Sequence, residues 1–421
     1  MKKTLIIVIA FLVFSNMISA QVLSEWRGEG RTGIYAETGL LKVWPENGPE
    51  MLWVLDSLPN GYSSLAVAHN TIYFTGIVDS MDVLIAVDDK GAFKWQTPSG
   101  RSWDNSYNPS RCTPTIDGDR AYVSSGLGDV ACIDAQSGEL LWAVPASENY
   151  QGTYGRWGLS ESLLILDDRV FFTPGGNTTT MVALDKMTGE EIWASESLKD
   201  NPSYTSPLLI EWADTITVVN VTQNYVFGLD PLNGKIRWTF DFGQFAGGEW
   251  RSNNQTNTPL FEDGIMYITS GYDHRSVSVD LSEKGDDAYF NWVDTTLDVH
   301  HGGVVKIGDY IYGSSWEGNR MGHWACLEWN TGKLMYEAEW ENKGSIISAE
   351  NMLYCYEEKN GNIALVEATP GGFDVISSFK VAHGSGPHWS HPVIHDGVLY
   401  IRHGQALMAY SISENPPQTE Y

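Results

Sequence analysis

The stretch Asp134-Ala135-Gln136-Ser137-Gly138-Glu139-Leu140-Leu141-Trp142 decides the fold, because it returns along the chain. Asp185 leads through Thr188-Gly189 to Trp193, Asp230 through Asn233-Gly234 to Trp238, and a copy one residue shorter joins Asp88 through Lys90-Gly91 to Trp95. Each residue type has a physical task. The glycine permits the positive φ of a tight reversal, the aspartate hydrogen-bonds nearby backbone, and the tryptophan is a large apolar anchor on the strand that follows. Successive copies stand roughly 45 to 50 residues apart, the period of a propeller blade, a unit too small to bury its own apolar face.

Later copies are worn. Asp280 reaches Trp292 across an insertion around Gly285, Glu328 leads through Thr331-Gly332 to Tyr336, and further copies stand at Glu367 and Tyr410, which makes eight units. Each contains an aromatic or β-branched run such as Ile72-Tyr73-Phe74, Ala121-Tyr122-Val123 or Val398-Leu399-Tyr400, several of them behind a hairpin signal such as Asp117-Gly118 or Asp396-Gly397. The pattern predicts an all-β, eight-bladed β-propeller of four-stranded antiparallel blades. The last unit stops one strand short, whereas Met51-Leu52-Trp53-Val54 is a fourth strand with no blade before it. That strand is expected to complete blade eight and close the ring, removing free sheet edges.

The expected organisation is a signal peptide at 1–20, a single propeller at 21–413 and a polar tail at 414–421. Lys2 and Lys3 precede the apolar run Thr4 to Phe14, and Ser19-Ala20 offers small residues for cleavage. No Cys stands immediately after that point, where a lipid anchor would need one, so a soluble periplasmic or secreted monomer is expected, without a transmembrane segment. The formal charge is −27, and loss of Lys2 and Lys3 makes it 24 − 53 = −29. A surface this acidic repels phosphate backbones, which excludes nucleic acid as a partner. The four cysteines, at 112, 132, 326 and 355, are too sparse for a disulfide framework and are expected to be buried free thiols.

Function in a propeller concentrates on the face that carries the lead-in to each innermost strand and the loop between second and third strands. The lead-in segments are rich in aromatic, Arg and amide side chains: Trp103, Tyr107, Tyr150, Tyr154, Arg156, Trp157, Tyr204, Trp250, Arg251, Asn254 and Gln255. Glu161, His300, His301, Trp316, Arg320, His323, His388, Trp389 and His391 are expected on the same face. Stacking area with orienting hydrogen bonds suits a ring-bearing small molecule, a glycan or a protein loop. The predicted ligand-binding set is Trp103, Tyr154, Arg156, Trp157, Glu161, Trp250, Arg251, Asn254, His301, His388, Trp389 and His391. Adjacent histidines on a strand point to opposite faces, so His300 and His301 are expected to line the channel rather than share a metal ion.

The repeat resembles that of the pyrroloquinoline-quinone-like (quinoprotein-like) β-propeller family, over nearly all of residues 24 to 412. Trp26-Arg27-Gly28, Arg31-Thr32-Gly33, Trp157-Gly158-Leu159-Ser160-Glu161-Ser162, Pro174-Gly175-Gly176 and His388-Trp389-Ser390-His391-Pro392 resemble an exported bacterial subgroup. The resemblance implies two alternatives. One is a non-catalytic binding or scaffold protein without cofactor, as in the outer-membrane assembly lipoprotein branch. The other is an alcohol or sugar dehydrogenase that depends on pyrroloquinoline quinone (PQQ) and Ca²⁺; Glu161 and Asn254, by their expected place on one face, are the candidate calcium ligands. The enzymes of the family cap the quinone with adjacent cysteines, and many carry a haem motif; this chain has neither. The scaffold is therefore the expected reading, with no catalytic residues and a protein, glycan or small molecule as partner.

Overall fold

The structure is a computed structural model and describes residues 23–247, 254–319 and 321–415. The predicted signal peptide and residues 416–421 of the predicted tail lie outside the described residues. Eight antiparallel sheets succeed one another at residues 66–101, 115–144, 164–194, 208–241, 260–294, 304–338, 344–380 and 393–411. The eighth supplies only three strands of its own, Val393–His395, Val398–His403 and Ala406–Ser411. Glu50–Leu55 is its fourth, with Trp53 opposite Ala409 and Leu55 opposite Leu407. The ring is thus closed as the repeat predicted. Among the described residues no helix is long and apolar enough to cross a membrane.

The motif works between blades. A side chain at Gly138 would strike the Trp95 ring of the preceding blade at 2.6 Å; Gly189 stands in the same relation to Trp142, Gly234 to Trp193 and Gly332 to Trp292. Gly91 closes the circle against Trp53, at 3.0 Å. Each glycine is therefore needed twice, for a positive φ and for the flat seat it offers the neighbouring indole. The indole N–H groups of Trp53, Trp142 and Trp193 donate to carbonyls of Asp89, Lys186 and Pro231 in the next blade. Between blades four and five, Trp212 does this work, donating to the Ser282 carbonyl and covering Gly264. Asp134 and Asp185 accept backbone N–H groups of their own turns.

A register shift stands beside the Trp, or its substitute, between third and fourth strands of all eight blades. This recurrent bulge adds local twist to the outer edge of every sheet. The middle strands are buried on both faces, Ile72 and Phe74 on one side with Tyr73 on the other, and Val170 and Phe172 on one side with Phe171 on the other, which is why they read as continuous apolar runs. All four cysteines are buried and free; Cys112 lies in the lead-in to blade two rather than on its first strand.

The segment before the ring-closing strand fills the axis. Leu23–Ser24 pairs with Ile116–Asp117, adding a fifth strand on the channel side of blade two. The chain rises to Trp26, reverses through Gly28 and Gly33 at positive φ, and descends parallel to blade seven, with Ile34 bridging Ser348. Leu40 and Trp44 then pack beneath blades seven and eight against Tyr354, Phe379 and Tyr410. Since Leu23 lies opposite Asp117, beside the first hairpin of blade two, the chain enters on the hairpin face of the ring.

Candidate functional site

Arg27 locks this plug. Its guanidinium is fully buried and donates to the carbonyls of Val304 at 2.6 Å and Ile346 at 3.1 Å, and to Nδ1 of His391 at 3.0 Å. Gly33 and Gly303 leave the space it fills; a side chain at either would overlap the guanidinium. Burial lowers the Arg27 pKa to about 10, so the group stays charged at neutral pH on carbonyl dipoles. Arg31 pairs with Glu25 at 3.2 Å and donates to the Leu163 carbonyl of blade three.

Above the plug the lead-in segments enclose a cavity of about 1130 Å³, with Trp26 in its lining. A nearly continuous aromatic belt runs round it. Tyr62 and Tyr107 contact Trp389, which meets His301 edge-on at 5.2 Å. His301 lies 4.0 Å from His300, which meets Tyr272; Tyr272 contacts Trp316 and stacks on Trp157, which in turn contacts Tyr204. Arg156 lies over the Trp157 ring at 5.5 Å. Arg111 ties two lead-in segments together by donating to the carbonyls of Trp157 and Tyr107.

Of the predicted set, Arg156, Trp157, Asn254, His301, Trp389 and His391 line this cavity. Trp103 and Tyr154 do not. Trp103 is wedged against Gly126 and Gly158, and Tyr154 packs on it while donating to the Leu127 carbonyl, so both brace the loops. Glu161 is buried outside the cavity, where burial raises its carboxyl to about 8 against a Thr173 hydrogen bond and the Arg31 charge. His388 is stacked on His403 at 3.6 Å and bonded to Tyr356, a packing position behind the wall. Trp250, Arg251 and Arg320 lie outside the described residues. Trp26, Arg111, Glu358 and Lys343 were not anticipated, since nothing in the repeat marks them.

His300 and His301 depart from the opposite-faces expectation. They precede the strand Val304–Ile307, in a turn that ends at Gly302-Gly303, so strand alternation does not apply and both rings face Glu358. Lys343 pairs with the other Glu358 oxygen at 2.6 Å. Burial pushes the Glu358 carboxyl up, but its polar contacts, the Lys343 ammonium at 2.6 Å among them, outweigh burial and hold the group below the usual carboxylate range. Burial pushes both imidazoles down, so they are neutral. His391, lowered to about 3 by burial and Arg27, donates from Nε2 to the His301 carbonyl at 2.8 Å. The plug thereby positions the histidine pair.

The groups that a PQQ–Ca²⁺ centre would use are not gathered in the funnel. Asn254 lines the cavity, whereas Glu161 lies outside it with the Arg31 charge nearby, a poor place for a second cation. Fold and site together define a quinoprotein-type eight-bladed propeller with a plugged axis and an aromatic funnel on one face. A family model described as outer membrane protein assembly factor BamB matches residues 80–364, and the chain belongs to this family.

Among its relatives, BamB of Moranella endobia (strain PCIT) is 22% identical over 62% of this chain and 66% of its own length. BamB of Yersinia pestis is 21% identical over 73% of this chain and 75% of its own. The crystal structure of BamB from Moraxella catarrhalis superposes with a TM-score of 0.61 at 16% identity, over 86% of this chain and 99% of that one. A europium-containing methanol dehydrogenase gives 0.66 at 12% identity, over 91% and 90%. At such identities these structures share the fold and nothing further is implied.

Proposed function

We propose that this protein is exported to the periplasm and acts there as a non-catalytic scaffold of outer-membrane protein assembly, holding a segment of a partner protein in its funnel. The observation that carries the reading is the blind funnel itself. Its floor is the chain's own Trp26, its walls are an aromatic belt, and its mouth presents Tyr107, 53% exposed, beside Trp389 and Arg156. Stacking surfaces with a few fixed hydrogen-bonding groups suit a protein loop, for which exposed aromatics and Arg are the usual anchors. Export is supported by the basic and apolar leader at residues 1–20. The relatives carry the name of an outer-membrane assembly factor, which supports the cellular role.

The test pairs a functional with a structural lesion. Arg156→Ala with Trp157→Ala should leave the melting transition nearly unchanged and abolish complementation of outer-membrane barrel assembly in a strain lacking the protein. Trp193→Ala should instead lower stability. Full complementation by the double variant would refute a funnel-borne role. Steady dye reduction that depends on quinone, Ca²⁺ and Glu161 would replace the scaffold with the dehydrogenase.

A further inference from the structure

Nδ1 of His300 stands 3.5 Å, and Nε2 of His301 3.6 Å, from one and the same oxygen of Glu358, Oε2. Both distances are too long for a hydrogen bond, and neither nitrogen has a hydrogen-bond partner. They match the separation of donor atoms around a shared ion: with metal–nitrogen and metal–oxygen bonds of ~2.0–2.2 Å in a tetrahedron, neighbouring ligands lie ~3.3–3.6 Å apart. The ligand atoms of all three residues lie within 4.8 Å of one another. We propose that His300, His301 and Glu358 form a binding site for one first-row divalent ion of the zinc type, with its fourth coordination position open to the funnel.

The surroundings fit a metal site. Nε2 of His300 is engaged by the Tyr272 hydroxyl at 2.9 Å, an outer contact that directs Nδ1 at the ion. His301 is fixed through its carbonyl by His391, which Arg27 holds in turn. Two imidazoles and one carboxylate select zinc-like ions over calcium, which wants a cage of oxygens. Glu358 and Lys343 cancel in charge, so the ion would bring its full positive charge into a buried corner of the cavity. An anionic fourth ligand, such as a bound hydroxide, is therefore favoured. The metal site itself stands on these distances and is independent of the assembly role proposed above.

The test uses the full mature chain, stripped with a chelator and titrated with Co²⁺ and then Zn²⁺ alone. One equivalent of Co²⁺ should produce the intense visible bands of four-coordinate cobalt, and Zn²⁺ should abolish them. His300→Gln and His301→Gln should each weaken binding by roughly 100-fold or more, and Tyr272→Phe by ~10-fold, as expected for ligands and for an outer contact. His301 is the less buried imidazole, so His301→Gln decides the matter if His300→Gln fails to fold. His395→Gln guards against the partly exposed Glu37, His395 and Asp396 group. No saturation below ~100 µM metal, where a site of this kind should be full, would overturn the proposal. So would bands that survive both histidine variants, or bands lost with His395.

Discussion

Replacing Arg27 by Met tests the axial plug. Methionine keeps much of the stem's volume, so the change removes hydrogen bonds more than packing. The Val304 and Ile346 carbonyls and Nδ1 of His391 each lose a donor within 3.2 Å. At ~1–3 kcal/mol for each buried acceptor left without a partner, the gross cost is roughly 3–9 kcal/mol. Against this stands the relief of a buried cation that no carboxylate accompanies, worth several kcal/mol. The lost bonds should win narrowly, because the dipoles converge on the charge and cannot reorganise, leaving a net loss of about 2–4 kcal/mol. Urea unfolding would report the loss as a lower midpoint. Limited proteolysis should show earlier cleavage between residues 23 and 35, and acrylamide should quench tryptophan emission more strongly as the floor at Trp26 loosens. An unchanged midpoint together with unchanged cleavage would refute the idea that Arg27 pins the plug.

Other outcomes follow from the same geometry. Deleting residues 21–55 should destabilise the whole ring and promote aggregation, since it opens blade eight and empties the axis; an unaltered melting transition would contradict closure there. Trp193→Ala should cost ~3–5 kcal/mol by denaturant unfolding, because Gly234 of the next blade is seated on that ring. Glu161 titrates at about 8 when folded and near ~4.3 when unfolded. The folded state thus holds the proton over that window, and stability falls as pH rises from ~4.3 to about 8. Glu161→Gln should flatten this slope and gain on the parent at pH 8; an equal slope in both proteins would show that Glu161 ionises freely. Native protein should leave Cys112 and Cys355 unmodified by a thiol reagent at pH 8, since burial raises both thiols, Cys112 to about 12; rapid native labelling would contradict their burial.

The repeat was legible because it is local. An Asp, a Gly at positive φ and a Trp eight residues on carry the hairpin and its anchor within one short window, and the period counts the blades. Closure was legible too, as an orphan strand at one end faced a missing strand at the other. The aromatic lead-in segments announced the funnel by composition, although Trp103, Tyr154 and His388 brace its wall from behind. The plug was not legible. Residues 23–35 belong to no repeat, and their partners lie on blades distant in sequence, from Ile116 to His391. Glu358 and Lys343 stayed hidden for the same reason. The histidine pair lines the cavity as expected, but its opposite-faces placement failed because strand alternation was applied to a turn that ends at Gly302-Gly303.

On the proposed function the funnel mouth, and not the hairpin face, holds the partner. A photo-crosslinking side chain placed at Tyr107 on the mouth, and separately at Leu232 on an exposed turn outside the funnel lining, would compare them directly in living cells. Position 107 should give a discrete crosslink to a component or client of outer-membrane protein assembly, identified by mass spectrometry, and position 232 none. Crosslinks from position 232 alone would place the working surface elsewhere on the ring and contradict it.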